Sequence, residues 1–170
     1  KENLNIVITD NIKSAVINAD MVIIATPLSA YKDVLNSIKL NLKKNVILTD
    51  VGSAKKEINK TINDLDLSDI SWIASHPIAG TEDSGPQAGF AELFENRWSI
   101  ISPSEKAKKE DIHKLQKFWE KLGSKVKIMS FEEHDHILSL TSHLPHLIAY
   151  NLVRTAINNE DKFKQDVIQY

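Results

Sequence analysis

Short apolar runs that alternate with amphipathic ones constrain this chain more than any other feature. Met21-Val22-Ile23-Ile24-Ala25-Thr26 is a continuous apolar run, the pattern of a strand buried on both faces. Residues 31–42 follow with helical spacing at Val34, Leu35, Ile38 and Leu42. Residues 45–51 read as a second strand and 53–65 as a second helix. Residues 72–75, 98–102 and 125–129 complete the strands, and 111–122 form an amphipathic helix that Gly123 is placed to cap. This alternation predicts an α/β domain with a largely parallel sheet.

The pattern changes after Ser130. Residues 131–158 carry no strand signal, and Ile137, Leu138, Leu140, Leu144, Leu147, Ile148, Leu152, Val153 and Ile157 occupy several helix faces. A helix apolar on most sides needs partners on most sides. The expectation is a sheet domain over 1–129 and the start of a helical domain over 130–170, packing against another subunit. One long helix lying across the sheet is the alternative. Pro145 lacks an N–H and clashes with the preceding turn, so a kink is expected there.

The chain's 170 residues suffice for a real core. Its 21 Lys and Arg against 23 Asp and Glu leave a net charge of −2, so no basic field draws in nucleic acid. The absence of cysteine excludes a disulfide framework, a thiol nucleophile and Cys-ligated zinc. It fits a reducing, cytoplasmic location. Neither a signal peptide nor an apolar run of spanning length is read in these residues, so no membrane partner is expected.

Three loops carry the residue types that chemistry uses. His76-Pro77-Ile78-Ala79-Gly80-Thr81-Glu82-Asp83-Ser84-Gly85 places a histidine at the end of an apolar run beside donors and acceptors. Such a histidine serves either as a general base or as a core residue above a capped turn. Asp50-Val51-Gly52-Ser53-Ala54-Lys55 joins a strand to a helix. There Gly52 permits a tight turn, and Ser53 is either a plain helix cap or a ligand group. Ala25-Thr26-Pro27-Leu28-Ser29 has the same strand-to-helix position. Loops ending at Thr26, Ser53 and His76 are expected along one edge of a parallel sheet, where ligands bind in such folds.

A second group is His134-Asp135-His136 and Ser142-His143-Leu144-Pro145-His146. His134 and His136 read as surface or capping residues. His143 and His146, three apart, share roughly one helix face. A substrate site there competes with a metal site. The H-E-x-x-H spacing and cysteine ligands are both missing, so no metal is expected.

Asp50-Val51-Gly52-Ser53-Ala54-Lys55, the His76-to-Gly85 stretch and Ser142-His143-Leu144-Pro145-His146, in this order and spacing, resemble the prephenate/arogenate (cyclohexadienyl) dehydrogenases of tyrosine biosynthesis. The resemblance extends over essentially the whole chain from Ala19 onward. It implies a Rossmann-type domain followed by an all-helical domain that dimerises, hence a homodimer. It implies oxidative decarboxylation of prephenate or arogenate, yielding 4-hydroxyphenylpyruvate or tyrosine, with NAD or NADP as cofactor. By the same resemblance His76 is the base on the ring hydroxyl, and Ser53 bridges His76 and the nicotinamide. Thr26 and Pro27 line the cofactor. His146, Thr81, Glu82 and Ser84 line the substrate, and His143 beside them orients His146 or packs.

The family's glycine-rich turn and second strand are expected before Lys1, and its substrate-binding arginine beyond Tyr170. Arg97 and Arg154, the arginines present, do not occupy that position. The chain is therefore expected to be a fragment that is inactive by itself. Two other readings were open to the sequence. A 3-hydroxyacid-type dehydrogenase would place a lysine near the 142–146 motif, where none stands. A non-catalytic dinucleotide-sensing or dimerising module would leave His76, Ser53 and His146 unexplained.

Overall fold

The computed structural model describes residues 6–65, 67, 69–80, 85 and 88–163, with side chains up to residue 159. Thr81, Glu82 and Ser84 lie outside the described residues. The chain divides into two compact units, Lys1–Phe131 and Glu132–Tyr170.

The first unit is built on a five-stranded sheet of order β1-β2-β3-β4-β5. The strands are β1 (Met21–Ile24), β2 (Ile47–Asp50), β3 (Ser71–Pro77), β4 (Trp98–Pro103) and β5 (Lys125–Ile128). Three pairings are parallel, and β3 against β4 is antiparallel, so the sheet is mostly parallel and Rossmann-like. The helices of this unit are α1 (Ile12–Val16), α2 (Tyr31–Ile38), α3 (Lys56–Asp64) and α4 (Lys109–Lys121).

Alternation along the strands sorts side chains to two faces. Leu48, Trp72 and Ala74 pack with Tyr31 and Leu35 of α2, Ile58 and Ile62 of α3, and Phe131. Ile47, Ile73 and Ile101 face the other way, onto Leu115 and Trp119 of α4. Full burial of a side chain such as Leu35 contributes roughly 1.5–3 kcal/mol, so this two-sided packing holds the sheet. Helix α4 ends in a Schellman motif. Ser124 N–H bonds the Trp119 carbonyl, Gly123 N–H bonds the Glu120 carbonyl, and Gly123 takes φ +87°.

Two local expectations change. β1 is not buried on both faces: Ile24 is buried, whereas Ile23 is 38% exposed. Among the described residues β1 is an edge of the sheet, so one flank of its apolar run lacks cover. Helix α3 begins at Lys56 rather than Ser53, and its N-cap is Lys55.

The second unit is helical. α5 (Phe131–Leu138), which starts on the last residue of the first unit, leads through a π-helical turn (Ser139–His143) into α6 (Leu144–Phe163). That turn is how the backbone meets Pro145. The Leu144 N–H reaches back five residues to the Ser139 carbonyl, widening the helix just where Pro145 removes a donor. Leu147, Ile148, Leu152 and Val153 of α6 are all more than half exposed. Among the described residues no helix is long and apolar enough to cross a membrane.

Candidate active site

Parallel pairing puts the C-terminal ends of β1, β2 and β3 on one edge of the sheet. Ile24 sits in register with Asp50, and the Val51 N–H donates to the Ile24 carbonyl at 3.2 Å. The loops carrying Thr26 and Ser53 therefore leave from neighbouring strand ends, beside the end of β3 that bears His76. Thr26, Pro27 and Ser53 are exposed, and His76 is half-buried.

His76 lies inside β3 rather than after it, because β4 continues to pair with it: His76 stands opposite Ile100 and Pro77 opposite Ser99. Strand alternation turns its side chain to the face of Trp72 and Ala74, while Ser75 turns to α4.

Below this edge lies a buried polar network. Asp50 ends β2 and Lys55 follows five residues later; both side chains are essentially inaccessible. Lys55 Nζ donates to Asp50 Oδ2 at 2.7 Å and to the Ser75 carbonyl at 2.6 Å. Asp50 Oδ1 accepts the Ser75 N–H at 3.0 Å, and Oδ2 accepts the Gly52 N–H at 2.9 Å. The Tyr31 hydroxyl adds a longer bond to Oδ2 at 3.3 Å. On the other face, Ser75 Oγ accepts the Trp119 indole N–H at 3.1 Å and shares a 2.8 Å bond with Thr49 Oγ1. A buried pair survives only when its remaining hydrogen-bonding capacity is met, and here backbone and side chains meet it together.

Burial pushes the Asp50 carboxyl above its ordinary pKa, against the pull of Lys55 and of the Ser75 and Gly52 N–H groups. Burial first, and the Asp50 charge second, raise the Tyr31 hydroxyl well above the usual tyrosine value. Gly52 is required by close approach. A Cβ there would lie 2.6 Å from Leu28 Cδ2, 3.0 Å from the Tyr31 hydroxyl and 3.1 Å from Asp50 Oδ2.

Ser53 does not cap α3; it stands two residues before the N-cap with its side chain exposed. An exposed hydroxyl and a half-buried imidazole at one strand edge can bind a polar ligand and move a proton. The loop residues Thr26, Pro27 and Ser53 fit a dinucleotide chemically, since they offer accessible backbone and a free hydroxyl at the ligand-binding edge of an α/β sheet.

In the second unit, His143 ends the π-helical turn, His146 lies in the first turn of α6, and both are exposed. His134 corrects the expectation of a surface residue: it is fully buried, with Nδ1 2.8 Å from the Asp135 carboxylate. Among the described residues no three His, Asp or Glu side chains cluster as metal ligands would.

Asp50, Lys55, Tyr31 and Ser75 belong to the site but carry no role that spacing alone assigns. Two of them nonetheless carry a signal. An aspartate closing an otherwise apolar strand and a lysine five residues on at a helix start must be paired if both are buried.

Residues 1–128 match the family model described as prephenate dehydrogenase, nucleotide-binding domain, and residues 130–170 that described as prephenate dehydrogenase, dimerization domain. The cyclohexadienyl dehydrogenase of Zymomonas mobilis is 41% identical over 168 residues, covering 99% of this chain and 57% of that protein. The prephenate dehydrogenase of Bacillus subtilis is 32% identical, over 91% of this chain and 42% of that one. A crystal structure of prephenate dehydrogenase from Aquifex aeolicus, in complex with hydroxyphenyl propionate and NAD+, is 33% identical. It superposes with a TM-score of 0.74 over 82% of this chain and 48% of that one. The chain thus spans about half the length of the relatives it matches.

Proposed function

The chain belongs to the prephenate dehydrogenase family, and from that premise we propose that the protein carrying it oxidatively decarboxylates prephenate with NAD or NADP in tyrosine biosynthesis. The observation that carries the reading is the shared strand edge of Thr26, Ser53 and His76. Residues 1–129 serve as the dinucleotide-binding domain and 130–170 as part of a helical domain through which the protein dimerises. The exposed apolar residues of α6 support the second role.

In this mechanism His76 accepts the proton of the ring hydroxyl as that carbon gives up a hydride. The bound dinucleotide supplies the hydride acceptor. The carbon–carboxylate bond then breaks, carbon dioxide leaves, and the bonding pair enters the ring, which becomes aromatic. Ser53, exposed on the neighbouring loop, orients the imidazole and the nicotinamide. A base of this kind is worth typically 10²–10⁴ in rate, and correct orientation is worth a comparable factor.

The substrate-binding roles of Thr81, Glu82, Ser84, His143 and His146 rest on the family resemblance alone.

The test is a turnover assay on the protein expressed from its complete reading frame, with prephenate or arogenate and NAD or NADP. Reduced dinucleotide and carbon dioxide should form in equal amounts with prephenate. No reduction with either acid and either cofactor contradicts the reading.

A further inference from the structure

We propose that Asp50 and Lys55 are positioning residues for His76, acting by gripping both ends of Ser75, the residue that precedes it. The proposal rests on the reading of His76 as the base and deepens it. Neither side chain touches substrate in this scheme; both are buried beneath the strand edge.

The geometry is specific. Asp50 Oδ1 accepts the Ser75 N–H at 3.0 Å, and Lys55 Nζ donates to the Ser75 carbonyl at 2.6 Å. That carbonyl belongs to the peptide bond leading into His76, so Lys55 fixes the plane from which the histidine departs. The two grips are themselves joined by the 2.7 Å ion pair. Thr49 and Trp119 hold the Ser75 side chain from the opposite face. β4 holds His76 on its other flank, through the pairing with Ile100.

The same pair also shapes the loop that carries Ser53. Asp50 Oδ2 accepts the Gly52 N–H, and Lys55 is the N-cap of α3. One buried ion pair therefore fixes both the strand bearing the imidazole and the turn bearing the hydroxyl. Displacement of a reacting group by about 1 Å costs on the order of 10²-fold in rate. Hydrophobic replacement of a buried ion pair is often neutral for stability, so stability alone does not require a charged pair at this place. Two rigid, charge-assisted hydrogen bonds onto one residue do require it.

The test uses the protein expressed from its complete reading frame and the variants Asp50→Asn/Lys55→Met, Lys55→Arg and His76→Asn. The double variant leaves no unpaired charge, yet releases the Ser75 carbonyl. It should stay folded by circular dichroism, lose about 10²-fold in kcat and keep KM within about threefold. Introduced into His76→Asn, the same pair of changes should lower kcat by less than about threefold, since a positioning effect needs its target. If the double variant unfolds, Lys55→Arg takes its place: the charge stays, but a planar guanidinium cannot reproduce the two contacts of one ammonium. Turnover near wild type in a folded variant overturns the proposal. So does an equal loss in both backgrounds, the mark of a merely structural pair. If His76→Asn alone turns over like wild type, the base reading falls and this proposal with it. If His76→Asn is crippled while the pair variants are not, the positioning proposal alone falls.

Discussion

Lys55 and Asp50 form a 2.7 Å ion pair with side chains 1% and 0% exposed. Removing one partner leaves a buried charge uncompensated, which costs about 3–5 kcal/mol. Lys55→Met should therefore lower the free energy of unfolding by that amount. The Asp50→Asn/Lys55→Met protein should lose distinctly less. Denaturant unfolding of the two variants measures this, and equal losses contradict the pairing argument.

Gly52 illustrates a constraint of space rather than of dihedral freedom. A methyl group there meets Leu28, Tyr31 and Asp50. Leu28 is 40% exposed and can yield, whereas Tyr31 and Asp50 are buried and cannot. Gly52→Ala should cost about 1–3 kcal/mol, the usual range for overpacking. Adding Leu28→Ala should recover only part of it. Thermal unfolding of both proteins is the check, and full recovery would assign the whole strain to Leu28.

Tyr31 should stay protonated in the folded protein where a free tyrosine, of pKa about 10, ionises. Burial and the nearby Asp50 charge both disfavour its phenolate. A raised folded pKa means that this group's stabilising contribution is complete below the unfolded value and declines as pH rises beyond it. Alkaline absorbance titration of wild type and Tyr31→Phe should give equal amplitude near pH 10 while both remain folded. A smaller amplitude in Tyr31→Phe would show that Tyr31 ionises normally.

Ser53 is freed from a capping role by the start of α3 at Lys56. Ser53→Ala should change stability by no more than about 0.5 kcal/mol, as exposed substitutions do. If Ser53 orients His76 and the nicotinamide, turnover should nonetheless fall well beyond that. A stability loss near 1 kcal/mol with intact turnover would return Ser53 to the helix cap.

Much of this fold is legible in the sequence, because burial dictates pattern. The apolar runs at 47–50, 71–75 and 98–102 became strands because both sheet faces are covered, and Gly123 stops α4 because the Schellman turn needs a left-handed residue. The antiparallel β3–β4 pairing was not legible, since strand direction depends on the path between strands and not on the pattern within them. Nor was the burial of His134, whose polar neighbours Glu133 and Asp135 suggest a surface. At the site, His76 and Ser53 could be picked out as reactive types at or just past the ends of apolar runs, although His76 itself lies within β3. The pairing of Asp50 with Lys55 is signalled by their positions, but their grip on Ser75 is not, because it exists only once Ser75 arrives from another strand. Thr26 and Ser53 came to one edge with His76 because parallel strands present the same end, which the alternation already implied.

If His76 is the base of a dehydrogenase, its replacement should lower turnover steeply and leave the fold intact. His76→Asn keeps a planar, hydrogen-bonding side chain at a β3 position whose backbone is already fixed by Ile100 and Ser75. In the protein expressed from its complete reading frame, this variant should fold and bind dinucleotide as wild type does. Its turnover of prephenate should fall by about 10²–10⁴-fold, the usual worth of a general base. Turnover within a few-fold of wild type, with folding and cofactor binding intact, would contradict the account.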